Sequence, residues 1–165
     1  MATKRTVDRM FVLFMGVIGF GMFLLTTIGF HNMPDECTAP VLYHGMTTVL
    51  VISAILTTLS ITYGLCNSRF GDCYQSDKQS NSILYYNIGV ILSFIILALA
   101  IAMMAQLSKE DLCTKDLTGQ ETSSGKTLTF CVGFMIGFSF LSLIGCIVGI
   151  VYVKRVVPGK VFLTK

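Results

Sequence analysis

Four stretches of this chain contain no Asp, Glu, Lys or Arg, and each is long enough to cross a bilayer. They run over residues 10–30, 46–65, 83–105 and 127–153. A hydrocarbon core about 30 Å thick needs roughly 20 apolar residues in an α-helix. Backbone N–H and C=O groups find no water there, so they must be satisfied within the segment or by a closed barrel. Barrel strands would alternate apolar and polar residues, and these stretches are continuously apolar. The pattern predicts an all-α membrane protein, a four-transmembrane-helix bundle forming one domain over residues 1–165.

The rest of the composition agrees. Hydrophobic residues make up 53% of the chain and charged residues 13%, against about 25% charged in an average soluble domain. Too few polar side chains are present to cover a water-soluble core. The connections at 31–45, 66–82 and 106–126 are too short to hold a separate domain, and Pro34 and Pro40 in the first are expected helix breakers. The first stretch is longer than a signal-peptide core and precedes no small-x-small cleavage site, so it reads as an anchor that stays.

Basic residues set the expected orientation. The termini and the middle connection carry Lys4, Arg5, Arg9, Arg69, Lys78, Lys154, Arg155, Lys160 and Lys165. The other two connections carry only Lys109, Lys115 and Lys126. By the positive-inside rule both termini are expected in the cytoplasm. Tyr63, Tyr85, Tyr86 and Tyr152 fall at the expected inner ends and Tyr43 at an outer one, where tyrosine favours the headgroup layer.

The net charge of +3 is spread as topology markers, with no basic run interleaved with aromatics, so nucleic acid is not an expected partner. No Ser-His-Asp arrangement, phosphate-binding loop or pair of carboxylates at helical spacing occurs, and no enzyme activity or cofactor is expected. His31 and His44 bracket the first outer connection near Asp35, Glu36 and Cys37, but their spacing fits no metal motif. No Asp, Glu, His, Lys or Arg lies inside a span, which argues against an ion-coupled transporter. Asn87 is the one strongly polar side chain in a span. The second span holds Thr47, Thr48, Ser53, Thr57, Thr58, Ser60 and Thr62, hydroxyls that serve either as helix–helix glue or as the lining of a passive path.

Glycines supply the strongest motif. Gly133 and Gly137 form one GxxxG and Gly145 and Gly149 another in the fourth span, with eight residues from Gly137 to Gly145. Such pairs let a neighbouring backbone approach closely. The expectation is a stripe along nearly one helix face, used either inside the bundle or against another copy or partner. Ser139 and Ser142 flank it as hydrogen-bonding candidates, and Gly16 and Gly19 offer a second small-residue surface in the first span.

The cysteines sort by side. Cys37 and Cys113 lie one in each outer connection and are candidates for a disulfide in an oxidising compartment, with Cys131 as a substitute partner. Cys66 and Cys73 lie just inside the membrane and are candidates for S-acylation.

In shape the chain is similar to several tetraspan groups, but it lacks the Cys-Cys-Gly of tetraspanins. It has no Trp, which the claudin-like signature requires, and one cysteine per outer connection where connexins have three. The leading expectation is a non-enzymatic scaffold or assembly component, with the bilayer and itself or other membrane proteins as partners. The alternative is a subunit of an oligomeric channel or transporter with a hydroxyl-lined path. The membrane is expected to be the plasma membrane or one of the secretory pathway, with a viral envelope as a third candidate.

Overall fold

The computed structural model describes the backbone of residues 2–33, 37, 39–69, 78–109, 113–114 and 120–156. Side chains are described over 10–33, 37, 39–64, 83–109, 113–114 and 120–155. Four helices make up the fold: α1 (Ala2–His31), α2 (Pro40–Arg69), α3 (Lys78–Leu107) and α4 (Ser123–Val156). Each contains a segment apolar and long enough to span a membrane: Met10–His31, Pro40–Gly64, Ile83–Leu107 and Ser123–Arg155. Among the described residues the protein is therefore an all-helical, four-span bundle.

The helices outrun the charge-free stretches, because charge marks the edge of the hydrocarbon layer and leaves the backbone free to stay helical beyond it. The largest difference is at α2. Pro40, expected to act as a breaker, instead opens the helix, and Leu42 and Tyr43 donate back to the Ala39 carbonyl. Proline suits the first helical position, where its missing N–H would have no partner anyway and its φ is already helical. Pro34, the other expected breaker, lies outside the described residues. The 34 residues of α4 give a rod of roughly 51 Å, so this helix tilts within the bilayer or projects from it.

Consecutive helices run antiparallel. α1 packs on α2 and α4, and α3 packs on α4 and α2, which closes a ring of four. The α1–α2 and α3–α4 connections meet at one end, where Cys37 and Cys113 are bonded; this is the disulfide end. Phe11 of α1 and Tyr152 of α4 meet at the other, terminal end.

The interior is closely filled by apolar side chains and rich in methionine. Met22, Met46, Met103 and Met135 are fully buried, or nearly so, among Leu42, Val49, Ile96 and Leu128. A smaller cluster of Met15, Tyr86, Cys146 and Val153 fills the terminal end. Tyr86 was expected in the headgroup layer, yet it is fully buried against α4. Its neighbours Tyr85 and Tyr63 stack on one another at 4.7 Å and remain half-exposed, as headgroup-layer tyrosines would. Outward-facing residues such as Val17, Phe20, Ile91, Phe94 and Phe140 are large and apolar, which suits a lipid solvent.

Candidate functional site

Hydroxyls on α2 and in the bundle interior are engaged within the chain. Thr47, Thr48, Thr57 and Thr58 each donate to the carbonyl four residues back on α2, at 2.7–2.9 Å. Ser53 donates to Leu50 at 3.0 Å. Ser60 bonds both the Leu56 carbonyl, at 2.8 Å, and the Tyr85 hydroxyl on α3, at 2.7 Å. Along the bundle axis Ser93 and Ser142 join α3 to α4 at 2.6 Å. Thr26 donates to the Met22 carbonyl and Ser139 to the Met135 carbonyl, and each hydroxyl also lies within 4 Å of a methionine sulfur on the facing helix. No buried side-chain nitrogen or oxygen among the described residues lacks a partner. Ser142 was expected as a seam residue; its partner Ser93 was not, because a lone serine in an apolar run carries no directional signal.

The glycines of α4 do not share one neighbour. A Cβ on Gly149 would stand 2.6 Å from the Tyr86 ring of α3. One on Gly145 would meet Met15 and Phe14 of α1 at 3.4 and 3.5 Å. Gly133 is half-buried, with Met104 of α3 at 3.9 Å, and Gly137 is exposed with nothing within 4 Å. The expectation of a single face therefore fails. Twelve residues separate Gly133 from Gly145 and Gly137 from Gly149, and at 100° each they leave the second GxxxG rotated by about 120° from the first. One pair is inside the bundle and the other is turned toward its outside.

Gly16 and Gly19 face α2. A Cβ at Gly19 would lie 2.9 Å from Thr57 Oγ1 and 3.2 Å from the Thr57 backbone nitrogen, and one at Gly16 would lie 3.4 Å from Ser60 Cβ. Glycine here lets the two backbones close on each other.

At the disulfide end Cys37 and Cys113 are joined across a sequence separation of 76, whereas Cys131 is free and buried below them. The bonded segment is pinned a second time. The Thr122 N–H donates to the Thr114 carbonyl at 2.9 Å, and Thr122 Oγ1 accepts from Gly125 N–H at 3.0 Å, capping α4. Gly125 sits so close that a Cβ would stand 2.5 Å from Thr114 Cα and its carbonyl oxygen. These contacts fix the Cys113–Thr114 segment on the first turn of α4.

Beside that clasp a groove of about 860 Å³ opens between α3 and α4. Ser108, Thr114, Glu121, Lys126 and Thr129 border its upper end. Its deeper walls are Ile101, Met104, Ala105, Phe130 and Ile136. Nothing in the sequence marked this groove, because its two walls come from different helices and their register is set by packing.

Among the described residues no three His, Cys, Asp or Glu side chains come together as a metal site. His31 and His44 are both exposed, with the His44 ring edge-on to Tyr43 at 5.7 Å. Asn87 is exposed on the outside of α3. Cys66 and Cys73, the S-acylation candidates, lie outside the described side chains. No known protein family, characterised protein or solved structure matches this chain.

Proposed function

We propose that this protein is a non-enzymatic structural component of a membrane. It is a closed four-helix bundle that associates laterally with further copies or with other membrane proteins through the α4 face centred on Gly137. The observation that carries this reading is the contrast among the glycines. Gly16, Gly19, Gly145 and Gly149 are filled by neighbours inside the bundle, whereas Gly137 is an open notch between exposed Phe134 and Leu141. In lipid, helix association is driven by packing of this kind, since lipid tails are as apolar as leucine. The exposed Asn87 amide gives a second helix a group to bond where water is scarce.

The hydroxyl-lined path is the weaker reading, because Thr47, Thr48, Ser53, Thr57, Thr58 and Ser60 donate to their own helix and the interior is filled by methionine and branched aliphatic side chains. The bonded Cys37–Cys113 pair supports an oxidising compartment on the disulfide side. It agrees with termini and middle connection in the cytoplasm and with residence in the plasma membrane, the secretory pathway or an envelope derived from them.

The test is association in bilayers, by single-molecule photobleaching in large vesicles at graded protein-to-lipid ratios. The reading expects concentration-dependent pairs or larger groups, and Gly137→Leu should return folded monomers. A wild-type protein that stays monomeric at every ratio would contradict it.

A further inference from the structure

The groove between α3 and α4 is amphipathic along its length, in the same sense as a lipid. Its polar end carries one cation and one anion, Lys126 and Glu121, at the end of the span where headgroups lie. Among the described residues these two form no ion pair with each other. Toward the membrane centre the walls become apolar. Ile136 is ten residues beyond Lys126 on α4, about 15 Å deeper.

We propose that this groove binds one zwitterionic phospholipid from the leaflet on the disulfide side. Its phosphate would meet Lys126, its choline or ethanolamine nitrogen would meet Glu121, and one acyl chain would lie along Met104, Ala105 and Ile136. The choice of headgroup follows from the two charges. An anionic headgroup would satisfy Lys126 and confront Glu121, and a cationic amphiphile would do the reverse. A zwitterion satisfies both. The volume of about 860 Å³ is within the roughly 300–1,000 Å³ of small-molecule sites. The walls are held in place without the lipid. The Cys37–Cys113 bond and the Thr114–Thr122 contacts fix the mouth, and the Gly125 approach fixes α4 against it. This site is distinct from the association proposed above, although both use the outside of α4.

The experiment uses the full chain in phosphatidylcholine nanodiscs containing a small fraction of phosphatidylcholine with a photoactivatable acyl chain. After illumination, crosslinked peptides are mapped by mass spectrometry. The expected result is a dominant adduct on residues 101–108 or 126–136. Ala105→Phe, which places a ring in the groove at an exposed position, should lower that adduct about tenfold, as a loss of one decade in affinity would. Lys126→Glu should lower it as well, while adducts on α1 and α2 stay unchanged. Thermal unfolding of each variant, matched to wild type, establishes that the bundle is intact.

Three outcomes would overturn the proposal. Adducts spread evenly over all four helices would mean ordinary boundary lipid. An adduct unmoved by Ala105→Phe in a folded variant would place the lipid elsewhere. Displacement by unlabelled phosphatidylglycerol more readily than by unlabelled phosphatidylcholine would refute the zwitterion. None of these depends on whether copies associate, which is read separately in the vesicles.

Discussion

Substituting alanine at three glycines of α4 separates inward from outward positions on one energy scale. Gly149→Ala places a methyl 2.6 Å from Tyr86 Cε1 and 2.8 Å from both Cδ1 and Cζ. Tyr86 is fully buried, so the ring has no free end to swing aside. Overpacking of this kind costs about 1–3 kcal/mol. Removing a helical glycine returns about 1 kcal/mol of backbone entropy, a gain shared by every glycine in the series. Comparing Gly149→Ala with Gly137→Ala cancels that shared gain and leaves the strain alone. The difference should be about 1–3 kcal/mol, with Gly149→Ala the less stable. Gly145→Ala should fall between them and near Gly137→Ala, because its methyl would meet a flexible methionine and a Phe edge at 3.4–3.5 Å. The assay is reversible unfolding by sodium dodecyl sulfate in mixed micelles, followed by circular dichroism. If all three variants agreed within about 0.5 kcal/mol, the assignment of Gly149 to the α3–α4 seam would be wrong.

Two further predictions concern the clasp and the axis. For a disulfide closing a loop over a separation of 76 residues, the chain-entropy model gives a ceiling of about 4.5 kcal/mol. Helices that persist in micelles restrict the unfolded chain already, so reduction should destabilise by about 2–4 kcal/mol, and reducing agent should leave Cys37→Ser unaffected. Ser93→Ala, Ser142→Ala and the double variant should give a coupling energy of about 0.6 kcal/mol and below about 1.7 kcal/mol, checked by a double-mutant cycle on the same unfolding assay; no coupling would separate the two hydroxyls.

Much of the fold was legible because one physical constraint dominates. A run without charge and about 20 residues long has few structural options in lipid, so span number and helix type follow almost directly. The pairing of Cys37 with Cys113 was legible for a related reason, since topology alone puts their connections on one side. Helix ends were less legible, because charge marks the edge of the membrane and not the end of a helix, as Pro40 and α2 illustrate. Which glycine meets which helix was not legible at all. A four-residue spacing looks like a stripe in one dimension, but the 40° advance per step carries Gly149 onto Tyr86 while Gly137 is left open. Tyr86 was misplaced for the same reason, because its position near a span end says nothing about the direction of its ring.

The proposed role makes the bundle a contact-making element with no aqueous path, and the chain carries its own reporters. Cys131 and Cys146 are free and buried in the interior of α4. With Cys66 and Cys73 replaced by serine, a charged, membrane-impermeant thiosulfonate reagent can be applied to both sides of the protein in nanodiscs. A contact-making bundle should leave both thiols unreactive until the protein is unfolded. Rapid modification of Cys146 in the folded protein would mean that water reaches the middle of the bundle, and the pore would then displace the scaffold as the reading of this protein.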